Sequence, residues 1–154
     1  MDAIQAATPA RLYALGVGGA LTVLGVGGFF WGASFETGQR AIRADLGEVL
    51  GILAVNGPTN LLHLATGLIG LALARHAARN YALAAGLLYI VLAIWGLLVI
   101  ERGVGEILGV VAVDSAENLL HLAIGLAGVA AGAATPVTEK RSRRTEPAER
   151  TPAA

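Results

Sequence analysis

Four stretches of this chain are too long and too apolar to be anything but buried helix, and they constrain everything else. They run Leu12 to Ala33, Pro58 to Ala74, Tyr81 to Ile100 and Ala116 to Ala134. A helix rises 1.5 Å per residue, so about 20 residues cross a hydrocarbon layer about 30 Å thick. The first and third stretches hold no charged residue; the second and fourth are apolar except for Asn60, His63, Glu117, Asn118 and His121 near their starts. Only 14% of the 154 residues are charged, against about 25% in soluble domains. The expected fold class is therefore an all-α membrane protein with four transmembrane helices. The first stretch could be read as a cleavable signal peptide ending at Gly32-Ala33-Ser34, but its apolar run exceeds the usual core of about 7–15 residues.

A second feature organises these helices. Asn-Leu-Leu-His-Leu-Ala-x-Gly-Leu occurs at Asn60 to Leu68 and again at Asn118 to Leu126. Leu50 to Ala74 aligns with Leu108 to Gly132 at 14 identical positions of 25. The preceding helix pairs too: Arg11-Leu-Tyr13-Ala14-Leu15 matches Arg79-Asn-Tyr81-Ala82-Leu83. Because Asn, His, Arg and Tyr match as well as apolar residues, the chain reads as a duplicated helical hairpin. Repeat one covers 11–76 and repeat two 79–134, within a transmembrane domain of residues 1–134; residues 135–154 read as a disordered cytoplasmic tail. Two helices per unit make both units enter from one side, so the repeats are parallel about an axis along the membrane normal.

Basic residues set the expected orientation. Arg11, Arg75, Arg79, Lys140, Arg141, Arg143, Arg144 and Arg150 fall on the side of the termini, and Arg40, Arg43 and Arg102 on the other. The positive-inside rule then puts both termini in the cytoplasm of a plasma-membrane protein, with the Asn-x-x-His motifs near the outer face. The Lys140 to Arg144 cluster could also hold the tail on anionic lipid.

Local signals fill in the connections. Ile42, Leu46, Val49, Leu50 and Leu53 recur at three- and four-residue steps, which fits a short amphipathic helix on the membrane surface or a loop against the helix ends. Glu101 to Val113 reads as a charged connection. Asn56 and Asp114 are predicted N-caps, the second with Glu117 three residues on in the manner of a capping box. Helix one is glycine-rich, and Gly28-x-x-x-Gly32 matches the close-packing motif of membrane helices. His76 falls in a basic turn and reads as interfacial.

The candidate site is a polar seam: Asn56, Asn60 and His63 on helix two, and Asp114, Glu117, Asn118 and His121 on helix four. Glycines follow each set at heptad-like spacing, predicting that helices two and four cross closely below the polar residues. The plainest reading is packing: Asn and His bond across membrane helices and hold the repeats together. Haem is an alternative, with His63 and His121 as axial ligands and Gly67 and Gly125 leaving room for the macrocycle. Proton or small-solute transport is another, since ionisable groups within a span mark such pathways. Histidine protonation as an external sensor is a third. No nucleophile triad, metal-ligand spacing or phosphate loop appears, so no catalytic residue, cofactor or metal is expected, and the chain does not read as an enzyme. Zero net charge and the lack of a basic patch exclude nucleic acid as a partner; the bilayer is expected, and a homo-oligomer is left open.

Leu-Gly-x-x-Ala-Val-[Asn/Asp], followed by the Asn-Leu-Leu-His motif and combined with Arg-x-Tyr-Ala-Leu opening helix three, resembles a bacterial family of four-helix integral membrane proteins, domain of unknown function 4383. The resemblance covers Arg11 to about Ala134. It implies a small polytopic plasma-membrane protein and supplies no activity, substrate or cofactor.

Overall fold

The structure is a computed structural model that describes residues 8–36, 47–101 and 103–137. Four helices form the bundle: α1 (Pro9–Gly28), α2 (Gly57–Leu73), α3 (Ala78–Val99) and α4 (Ser115–Ala133). Two antiparallel β-hairpins fill the longer connections. β1 (Gly47–Val49) pairs with β2 (Leu53–Val55) between α1 and α2. β3 (Val104–Ile107) pairs with β4 (Val111–Asp114) between α3 and α4. α1, α3 and α4 are each long and apolar enough to cross a membrane.

The bundle is inverted relative to a soluble protein. Many of its buried helix positions are small or polar, among them Gly18, Ala14, Ala82, Asn60, His63, Glu117 and His121, beside a few large ones such as Leu21 and Tyr89. Its exposed positions are large and apolar, among them Leu12, Val23, Leu68, Leu87, Leu97 and Leu126. A chain solvated by lipid gains nothing by hiding leucine, so small residues take the interior, where they let backbones approach.

Glycine decides which helices approach. A Cβ on Gly67 of α2 would strike the backbone of Thr22 and Gly18 on α1, and one on Gly125 of α4 would strike Ile90 and Gly86 on α3. The tightest seams therefore run between α1 and α2 and between α3 and α4, which pack more extensively than any other pairs. This corrects the expectation that the glycines of α2 and α4 close against each other. A 3.5-residue stripe identifies a contact face but does not name the helix it meets.

Two further expectations change. Val49, Leu50 and Leu53 belong to the β1–β2 hairpin, not to an amphipathic helix; Ile42 and Leu46 lie outside the described residues. Val49 is buried whereas Leu50 beside it is 78% exposed, which one helical stripe would not allow. Leu50 and Gly51 take positive φ at the turn, as Leu108 and Gly109 do in the second hairpin. Gly32 falls beyond the end of α1, so Gly28 and Gly32 form no helix-packing motif; instead the Gly32 amide bonds the Gly28 carbonyl in the terminating turn. The tail from residue 138 and its Lys140 to Arg144 cluster lie outside the described residues.

Each hairpin leads directly into a capped helix. Asn56 Oδ1 accepts from the Thr59 amide at 2.9 Å, and Asp114 Oδ1 from the Glu117 amide at 2.6 Å, as the sequence predicts for N-caps. The same side chains join the hairpins. Asn56 Nδ2 donates to the Val110 carbonyl, and Asp114 Oδ2 accepts from the Ala54 amide. The hairpins thus pack on each other through β2 and β4 at the end of the bundle where α2 and α4 begin.

Candidate functional site

Just inside that end, three ionisable side chains converge. His63 comes from the second turn of α2; Glu117 and His121, one turn apart, come from α4. His63 Nε2 lies 3.0 Å from Glu117 Oε1, and His121 Nε2 lies 3.2 Å from the same oxygen. All three residues are at most 1% exposed. The imidazoles stand edge-on at 5.9 Å between centroids, and the ring of Tyr89 on α3 lies 5.1 Å from His121 and 6.4 Å from His63.

The contacts are short and close the cluster on itself. Apart from these two contacts, both Glu117 oxygens and all four imidazole nitrogens lack a hydrogen-bond partner among the described residues. The Glu117 carboxylate does not reach back to cap its own helix, so Asp114 and Glu117 form half of a capping box. Burying a carboxylate is costly unless neighbouring groups compensate its charge, and here two imidazoles face it.

The rest of the predicted seam goes elsewhere. Asn60 Nδ2 donates to the Gly32 carbonyl at 2.6 Å, and its amide occupies the space left by the missing side chain of Gly28. Asn118 fills the corresponding space at Gly96. Asn56 and Asp114 serve the hairpins. Of the seven seam residues, only His63, Glu117 and His121 bring their side chains together. Thr59, the counterpart of Glu117 in the alignment, is fully buried and bonds Asn56 Oδ1 and the Ala112 carbonyl. The space expected for a macrocycle at Gly67 and Gly125 is taken by α1 and α3. His76 is exposed in the α2–α3 turn.

Sequence reading did not single out Tyr89 for the site, since an aromatic in an apolar helix carries no signal of its neighbours. The link from Glu117 to His63 was equally hidden, because the two are 54 positions apart.

The model of the domain of unknown function DUF4383 matches residues 11–134, which include both hairpins and the whole cluster. The chain belongs to the DUF4383 family. No curated protein and no solved structure matches it. In this DUF4383 chain the matched region ends at Ala134, one residue past α4, so the helices and hairpins described above are the family's domain.

Proposed function

We propose that this DUF4383 protein is a four-helix polytopic protein of the plasma membrane, built from two duplicated helical hairpins, in which the histidines of the paired Asn/His motifs clasp the repeats together through Glu117 near the outer face, while each asparagine packs within its own repeat. The observation that carries the reading is the 3.0 Å contact from His63 on α2 to Glu117 on α4, two helices that otherwise pack mainly against α1 and α3. One carboxylate serves both histidines, so the two copies of the motif meet at a single point.

The duplication draws support from reciprocal contacts. Tyr13 OH donates to the Ile124 carbonyl and Tyr81 OH to the Thr66 carbonyl, each at 3.1 Å. Those four residues correspond under the alignment of the two halves. Gly28 with Asn60 and Gly96 with Asn118 correspond in the same way, as do the Leu50-Gly51 and Leu108-Gly109 turns. For α2 as the fourth span, its 17 residues give about 25 Å of helix, and Leu61, Leu68, Ile69 and Leu71 leave its outer face apolar. The excess of arginine on the side of the termini supports a cytoplasmic location for both.

Such an object is non-catalytic in this reading: a clasped bundle with lipid as its principal partner. A double-mutant cycle on His63→Ala and Glu117→Gln, read by thermal unfolding in detergent micelles, tests the clasp. Coupling of about 0.5–3 kcal/mol is expected for groups that share one buried contact. Strictly additive effects would remove the basis for the reading.

A further inference from the structure

The clasp has the composition and convergence of a metal site. Resting on the reading above, we propose that His63, Glu117 and His121 bind one divalent transition-metal ion, of the zinc class, within the bundle beneath the two β-hairpins.

Three observations lead there. One ligand atom from each residue lies within 4.8 Å of the other two, and all three residues are buried. Around a tetrahedral ion with ligand bonds of about 2.0–2.1 Å, donor atoms sit about 3.3 Å apart. The two Nε2–Oε1 separations of 3.0 and 3.2 Å are already at that spacing. Finally, beyond these two contacts none of the Glu117 oxygens or imidazole nitrogens has a hydrogen-bond partner among the described residues, so their lone pairs are not committed to any other group there.

The donor set selects the ion. Two imidazoles and one carboxylate suit zinc and its divalent first-row neighbours, while calcium and magnesium prefer all-oxygen shells. The chain has no cysteine, so thiolate-seeking ions have no ligand here. A divalent cation would compensate the buried Glu117 charge and use the Nε2 lone pairs of both imidazoles at once. Three protein ligands leave a fourth position, and the aromatic ring of Tyr89 stands beside both histidines.

The duplicated architecture explains why the set has three members. Each copy of the motif supplies one histidine, and only the second supplies an acid, because Thr59 stands where Glu117 would be and is occupied with Asn56 and Ala112. Neither half of the chain holds the ligand set alone. Binding would therefore tie α2 to α4 and would follow, or complete, the docking of the two halves.

The test uses the full chain purified in detergent. Metal content is measured as isolated, after chelator treatment, and after addition of Zn²⁺ or Co²⁺. About one ion per chain is expected, together with the visible absorption of low-symmetry Co²⁺ bound through nitrogen and oxygen, and an upward shift of the thermal midpoint on adding Zn²⁺. His63→Gln, Glu117→Gln and His121→Gln, each checked for a monodisperse helical product, should lose the ion, whereas His76→Gln should keep it. Wild-type chain that takes up no Zn²⁺ or Co²⁺, or uptake undiminished in all three variants, overturns the metal site. The clasp is judged separately, in chelator: coupling between His63 and Glu117 that persists in a chain with no metal affinity would leave the clasp standing without its ion.

Discussion

The hydroxyl of Tyr13 donates to the backbone carbonyl of Ile124, 3.1 Å away and 111 residues later in the chain. Tyr81 does the same to Thr66, and the two rings lie 6.1 Å apart. Each tyrosine also fills the space beside a glycine, Tyr13 at Gly128 and Tyr81 at Gly70. The α1–α4 and α2–α3 interfaces therefore share one aromatic centre. Tyr13→Phe and Tyr81→Phe keep the ring and remove only the bond, so each should destabilise by about 1 kcal/mol. Because the rings are neighbours, the double variant should depart from additivity, which chemical unfolding of reconstituted protein would reveal.

Asn56 and Asp114 stand at equivalent caps yet should not be exchangeable. Asn56 must donate to the Val110 carbonyl as well as accept from Thr59, which takes an amide. Asp114 accepts from two amides, Glu117 and Ala54, on separate oxygens, which takes a carboxylate. Asn56→Asp and Asp114→Asn should each cost about 1–3 kcal/mol, because each leaves a backbone group without its partner. The double swap should not recover the loss in a thermal-shift measurement.

Glycine substitutions separate packing from propensity. Gly67→Ala places a methyl 2.5 Å from the Thr22 amide nitrogen and 2.7 Å from the Gly18 carbonyl, both backbone atoms that cannot turn aside. A loss of about 1–3 kcal/mol is expected from such overpacking. At Gly16 the added methyl has nothing within 4 Å. Gly16→Ala should therefore be neutral or stabilising by up to about 1 kcal/mol, because alanine favours helix. Equal unfolding midpoints for the two variants would contradict the α1–α2 seam.

Orientation can be read at the hairpin tip. Leu108 is 72% exposed at the turn of the second hairpin, and the chain contains no native cysteine to interfere. Leu108→Cys should react with a membrane-impermeant maleimide applied to intact cells. Labelling that requires opening the cells would reverse the proposed topology.

The sequence by itself determined the helices. Hydropathy belongs to each residue wherever its neighbours lie, so the last three apolar runs fall within a few residues of α2 to α4, while the first runs past the end of α1 at Gly28. The caps were legible for a related reason: Asn56 and Asp114 bond amides only three positions on. The β-hairpins were not. Their turns place leucine, a residue that disfavours positive φ, where hairpin signals call for Asn-Gly, and the bonds that tie the hairpins together come from Asn56 and Asp114 across the two halves.

Tertiary structure also decided the partners. Periodicity put Gly67 and His63 on one face of α2, but helix geometry alone cannot say that the glycine meets α1 while the histidine reaches α4. The candidate site shows the same division. The sequence supplied seven polar residues at regular spacing; the fold sent four of them to caps, hairpins and glycine gaps. It brought only His63, Glu117 and His121 together, because a buried side chain acquires its neighbours from how whole helices dock.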